Sequence, residues 1–244
     1  MLWLVVTLVL VLFAAGTVIS AVYLFPGLFM NPFSRVLEVE LDEPVVIISD
    51  IHDDSSLPPE FLDKIKEIGP RAVIFAGDLF DEAHRLVSVD ELEEMLESKI
   101  GLLPKSVEKI VYVLSLASHD PIVWREVIEF ELSSRKVIVT KLCLKAVVNS
   151  LSIYVTHGDK SCRNGALAHV VNGLASFFGV DLFLERMLRR YLENRSWLVM
   201  GHTHIPGISH KYFVVNTGSW KEYYRRASKS FALVNGGKVQ LIFV

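Results

Sequence analysis

An α/β fold is what this chain predicts: two β-sheets packed as a sandwich, flanked by helices, behind an apolar N-terminal segment. Three observations predict it. Short β-branched runs such as Pro44–Asp50 and Ala72–Asp78 alternate with helix-like stretches in the first half. The second half, from Lys136 on, is mostly strand-like. Run after run ends in a carboxylate or an imidazole.

The elements can be justified in order. Leu2–Phe25 is 24 residues without a charge, rich in Leu and Val. As a helix it would be about 36 Å long, enough to cross a hydrocarbon core of about 30 Å. A cleaved signal peptide fits less well, because no Lys or Arg precedes the segment and its apolar core is too long. Residues 1–25 are therefore expected to anchor the chain in a bilayer, single-pass. Arg35, the nearest positive charge, leans the following domain toward the cytoplasm. Residues 26–43, with Pro26, Gly27, Asn31 and Pro32 as breakers, are expected to be a linker, and 44–244 the folded domain.

Pro44–Asp50 is a continuous apolar run suited to a strand buried on both faces. A helix is expected around Pro58–Ile68, then a strand at Ala72–Asp78. Ser88–Lys99 has helical character with acidic residues at its start. Lys109–Leu116 is a third strand-like run. "KVIVT", "KAVV" and "LSIYVTHGD" follow as strands, then two helical segments near Asn164–Phe178 and Asp181–Asn194, a cap within about 164–194. "WLVMGHTH", "YFVVNTGSW", "FALVN" and "VQLIFV" complete the set, the last two turning at Gly236-Gly237.

Composition bounds the function. Lys and Arg total 25 against 28 Asp and Glu, a net charge of −3. Nucleic acid is not an expected partner, since its binding needs clustered basic surface. The two cysteines, Cys143 and Cys162, cannot build a disulfide framework or a zinc knuckle.

The chemistry gathers at the strand ends. Asp50 and His52 stand in "SDIHDD", Asp78 and Asp81 in "GDLFD", His119 and Asp120 in "SHD", His157 and Asp159 in "THGD", and His202 and His204 in "GHTH". Five of the eight histidines fall in these places. In α/β sheets, sites form beyond the carboxyl ends of the strands, so these groups would converge. Asp and His clusters suit borderline divalent metals such as Mn, Fe or Zn. Two ions about 3.5–4 Å apart need a carboxylate between them, for which Asp78 is the natural bridge.

The ordered set D-x-H, GDxxD, HD, HGD and GHTH, over residues 44–220, resembles the calcineurin-like metallophosphoesterase superfamily. The resemblance implies an αββα sandwich and a dinuclear-metal hydrolase of a phosphomonoester, phosphodiester or pyrophosphate, of a lipid-linked or nucleotide substrate, which the apolar segment would anchor to a membrane. It implies that Asp50, His52 and His204 hold one ion and His157 and His202 the second, with Asp78 shared and manganese the expected metal. His119 would stabilise the transition state or protonate the leaving oxygen, oriented by Asp81. The family's third motif usually has asparagine where this chain has Ser118, a poorer ligand, so a weaker or water-completed second site is expected. A non-catalytic, membrane-tethered scaffold is the alternative that Ser118 favours.

Asp120 and Asp159 are expected behind the ligands. Arg85 is a candidate contact for a substrate phosphate. The apolar stripe and arginines of the helical segments raise a lipid-linked substrate, as in the UDP-diacylglucosamine hydrolases, whose apolar insertion lies at a similar place.

Overall fold

The computed structural model describes residues 2–53, 55–81, 85–117 and 119–244, and no side chains of residues 2–6, 8 and 9. Ser118 and His84 thus lie outside the described residues. The chain opens with α1 (Leu2–Leu24) and α2 (Pro26–Phe29), then β1 (Val36–Leu41), β2 (Val45–Ile48), α3 (Pro59–Ile68), β3 (Ala72–Phe75), α4 (Val89–Ile100) and β4 (Lys109–Val113). Four strands follow: β5 (Val127–Leu132), β6 (Arg135–Thr140), β7 (Cys143–Val148) and β8 (Leu151–Val155). Then come α5 (Gly165–Phe177), α6 (Phe183–Arg189), β9 (Trp197–Met200), β10 (Gly207–Ser209), β11 (Val214–Asn216), β12 (Ser230–Asn235) and β13 (Lys238–Phe243).

Two sheets result, ordered β1-β7-β8-β9-β11-β10 and β13-β12-β2-β3-β4-β6-β5. The central strands are buried on both faces because every residue of β2 and β3 is apolar. Alternate side chains of a strand point to opposite faces. Val45 and Ile47 accordingly meet Leu144, Ile153 and Val199 of the other sheet, forming the sandwich core. Val46 and Ile48 face the opposite way, onto Phe61 and Ile65 of α3 and Leu92 and Leu96 of α4. The outer face of the six-stranded sheet is covered by Leu184 and Leu188 of α6 and by Phe33. Each fully buried aliphatic side chain contributes about 1.5–3 kcal/mol. The layers are helix, sheet, sheet, helix, as expected.

Local chemistry sets the helix ends. Ser88 accepts from the Glu91 N–H (3.2 Å) and starts α4, while Asn164 accepts from the Leu167 N–H (2.9 Å) and starts α5. Gly69 ends α3 in the left-handed conformation. The expected hairpin turn holds, with Gly236 and Gly237 both at positive φ.

One expectation needs correction. Residues 26–43 are more than a linker: β1 joins the sheet parallel to β7. The segment before it is docked too, since Arg163 N–H donates to Leu24 C=O (2.9 Å) and Arg190 to the carbonyls of Gly27 and Leu28 (3.2 and 2.8 Å). The expected membrane span coincides with α1, yet among the described residues no helix is long and apolar enough to cross a membrane. The side chains of residues 2–6, 8 and 9 of α1 are not among those described.

β2, β3, β4 and β6 run parallel in one sheet, and β8, β9 and β11 in the other. The loops after β2, β3, β4, β8 and β9 carry the Asp and His residues singled out above, and they meet at one rim.

Candidate metal centre

Asp50 and His52 follow β2, Asp78 follows β3, His157 follows β8, and His202 and His204 follow β9. Five of these six hold left-handed backbone angles: φ is 52° at Asp50, 51° at His52, 51° at Asp78, 69° at His202 and 57° at His204. Non-glycine residues rarely adopt such angles, and clustering of the strain marks a site that the surrounding structure imposes. Glycines make room for it. At Gly77 (φ 84°) a Cβ would stand 2.5 Å from the His157 imidazole. At Gly201 it would collide with the Asp50 carboxylate and with Ser49.

Three groups of ligand atoms converge: Asp50, His52 and His204; Asp50, Asp78 and His157; and His52, Asp81 and His119. His204 Nε2 lies 3.1 Å from Asp50 Oδ1. Asp78 Oδ2 lies 3.3 Å from His157 Nε2 and 3.5 Å from His52 Nε2. His202 Nδ1 is 3.0 Å from His157 Nε2, its other ring nitrogen being engaged by Cys162 C=O at 2.7 Å. Two ligands each about 2.1 Å from one ion at right angles stand about 3.0 Å apart, so these spacings suit shared cations.

Both ring nitrogens of His52 are buried without a hydrogen-bond partner. An imidazole left so is costly unless a ligand completes it. The residues therefore fit divalent cations, and the candidate ligands Asp50, His52, Asp78, His157 and His204 converge, with His202 beside His157.

Electrostatics agrees. Burial pushes the Asp50 carboxyl up, but His204 and His157 outweigh it and bring it to about 2. Burial acts likewise on Asp78, and His157 and His52 hold it well below the carboxylate range. Burial opposes protonation of His157, yet Asp78 and Asp50 raise it well above the imidazole range. Burial lowers His52 to about 4, leaving it neutral at pH 7 and ready to ligate.

A second shell of contacts fixes the loops. Asp120 accepts from the backbone N–H groups of Asp78 (2.9 Å), Leu79 (3.0 Å) and Ser115 (2.8 Å), and from the Tyr112 hydroxyl. Asp159 Oδ2 accepts from Leu116 N–H (2.9 Å) and Ala117 N–H (3.1 Å). Asp78 Oδ1 accepts from the Ser115 hydroxyl (2.5 Å) and the His119 N–H (3.1 Å), leaving Oδ2 to the imidazoles. Glu185, fully buried, accepts from Asn216 (2.7 Å) and Asn172 (2.9 Å), and Asn216 donates to Gly201 C=O (2.8 Å). Carboxylates of this kind orient ligands from behind.

His119 stands at the half-exposed mouth, its Nδ1 3.2 Å from Asp81 Oδ1. Asp81 also receives Lys221 Nζ (2.6 Å) and the Tyr223 hydroxyl (2.8 Å). Tyr223 and Tyr224 close the mouth, Tyr223 lying edge-on to His52 with ring centres 4.9 Å apart. Lys221, Tyr223 and Tyr224 escaped the sequence reading; the one signal was their place just after "NTGSW". Arg85 forms an ion pair with Glu91 (2.6 Å) on α4, a setting that favours a surface role over the expected substrate contact. Trp220 packs on Phe61 in the core.

Asp/His clusters that share residues at the rim of an αββα sandwich are groups that could hold divalent metal ions. The sequence profile of the calcineurin-like phosphoesterase superfamily domain matches residues 44–237. The chain belongs to that superfamily.

Among solved structures it is similar to YfcE, a phosphoesterase from E. coli, at 15% identity over 79% of this chain and 88% of that one, with a TM-score of 0.39. It is also similar to a double mutant of Vps29 from Entamoeba histolytica, at 16% identity over 82% and 98%, TM-score 0.37. Wild-type Vps29 from the same organism, complexed with zinc, matches at 15% identity over 82% and 98%, TM-score 0.32. No curated protein sequence matches the chain.

Proposed function

We propose that the chain is a two-metal phosphoesterase tethered to a membrane by α1, cleaving a phosphomonoester, phosphodiester or pyrophosphate bond of a lipid-linked or nucleotide substrate. The observation that carries the catalytic part is Asp78 Oδ2, which faces His157 on one side and His52 on the other. A carboxylate so placed suits a bridge between two ions. Asp50, His52 and His204 would hold one ion and His157 and His202 the other, manganese being the expected metal. When bound, the ions supply Lewis-acid activation of water and neutralise phosphoryl charge.

The chain's own residues do the rest. His119, whose Nδ1 lies 3.2 Å from Asp81 Oδ1 without making a hydrogen bond, stands at the mouth where its ring can hand a proton to the leaving oxygen. Lys221 and Tyr223 keep Asp81 in place, and the two tyrosines limit water at the mouth. The tether rests on the 23 uncharged residues of α1, about 35 Å at roughly 1.5 Å per residue. Leu10, Leu12, Phe13 and Ile19 are more than 60% exposed, as suits a helix in lipid.

The test is hydrolysis of bis(p-nitrophenyl) phosphate by the full chain in detergent with Mn added. Turnover lost in Asp78→Asn, together with two ions per folded chain, supports the reading. Folded protein inactive with every divalent metal tried, and holding one ion or none, turns it to the scaffold.

A further inference from the structure

The docked exit from α1 leaves a cavity of about 340 Å³ against the catalytic domain. Pro26, Met30 and Pro32 wall it on the exit side and Leu116 on the other, while Asp159, Lys160 and Arg163 supply its polar part. Its position is fixed by tight packing: a Cβ on Gly27 would stand 2.6 Å from Leu188 and 2.8 Å from Lys160 C=O. The volume lies within the range of small-molecule pockets.

The polar groups have unmet capacity. Asp159 is 4% exposed and its Oδ2 holds the Leu116–Ala117 backbone, but its Oδ1 is buried with no hydrogen-bond partner. A buried carboxylate oxygen without a donor calls for one from a ligand. Beside it, Arg163 lies over the Tyr23 ring at 4.6 Å and Lys160 Nζ is 3.3 Å from the Cys143 thiol. Neither cation has a carboxylate partner among the described contacts. Two cations and one acceptor select a phosphate ester that also bears an ammonium or hydroxyl donor.

We infer that this cavity binds the headgroup of a donor-bearing phospholipid, with the phosphate at Arg163 and Lys160 and the amine or hydroxyl at Asp159. The source follows from position: the cavity sits at the foot of α1, whose apolar side chains are exposed, so acyl chains can run along that helix. The inference rests on the tethered reading.

The experiment is native mass spectrometry of the detergent-solubilised full chain, titrated separately with phosphatidylethanolamine, phosphatidylglycerol and phosphatidylcholine, and with glycerophosphoethanolamine as the chain-free form. Retention of the amine or hydroxyl lipid at least 10-fold above phosphatidylcholine is expected, with loss in Arg163→Ala and in the cavity-filling Met30→Trp. Equal retention of all three lipids, or retention unchanged in both variants, overturns the inference. Glycerophosphoethanolamine binding as well as the lipid would move the source from membrane lipid to a free phosphate ester and overturn it as well. Flotation of the same protein with liposomes reads the tether separately: a chain that floats without headgroup selectivity sinks this inference alone, and one that does not float sinks the tether.

Discussion

Replacing Gly77 by alanine should disable the metal centre through one methyl group. Gly77 sits at φ 84°, where an L-residue is strained by about 1–2 kcal/mol. The new Cβ would stand 2.5 Å from His157 Cβ and Cγ, so the imidazole must move by about an ångström, judged against ordinary carbon contacts. That movement breaks its contact with Ala76 C=O (3.1 Å), worth about 1 kcal/mol, and its charge-assisted contact with Asp78 (3.3 Å), worth about 1.5–3. The total is about 3–6 kcal/mol of stability, and a ligand misplaced by about 1 Å costs about 10²-fold in rate. Gly69→Ala is the control. Its φ is 62° but nothing lies within 4 Å of the added Cβ, so only the backbone strain of about 1 kcal/mol should appear. Urea unfolding, metal content and kcat would be measured on both. Equal stability losses, with two ions retained in Gly77→Ala, would refute the reasoning.

Three further outcomes are expected. Asp120→Ala strands three buried backbone N–H groups and should cost about 3 kcal/mol or more, whereas Tyr112→Phe removes one donor and should cost about 1, both read by urea unfolding. Lys221→Met and Tyr223→Phe loosen Asp81 and should lower kcat about 10-fold with metal content unchanged, as inductively coupled plasma analysis would show. Burial raises the Glu185 carboxyl above its usual 4.5, so folding favours its protonated form. Its contribution is fully present below the unfolded value and declines as pH rises through the folded one; Glu185→Gln should flatten that slope in unfolding free energy measured from pH 4 to 8.

The candidate ligands were legible because the fold places them at strand ends, and a strand end shows locally as an apolar run handing over to Asp or His. Central strands such as β2 and β3 were legible for the same reason: uninterrupted apolar residues are what burial on both faces requires. The edge strands hid. β1 (VLEVEL) and β5 (VIEFEL) alternate acidic and apolar residues, since one face of each meets solvent, and a search for continuous apolar runs passes over them. α6 ends at Arg189, although the apolar spacing continues to Leu192, because Tyr191 and Leu192 fold back in a tighter turn onto Leu188 and Arg189. Lys221 and Tyr223 reach Asp81 across 140 and 142 positions, a pairing that no local pattern announces.

The left-handed angles at five ligand residues carry one more consequence. Such torsions persist only while both sheets clamp the loops between them, so the geometry that grips cations is manufactured by folding and not by the ions themselves. Ion affinity should then track the integrity of the whole sandwich. A lesion deep between the sheets, far from any candidate ligand, would loosen the grip on a divalent ion, and a chelator would soften the protein as a mild denaturant does.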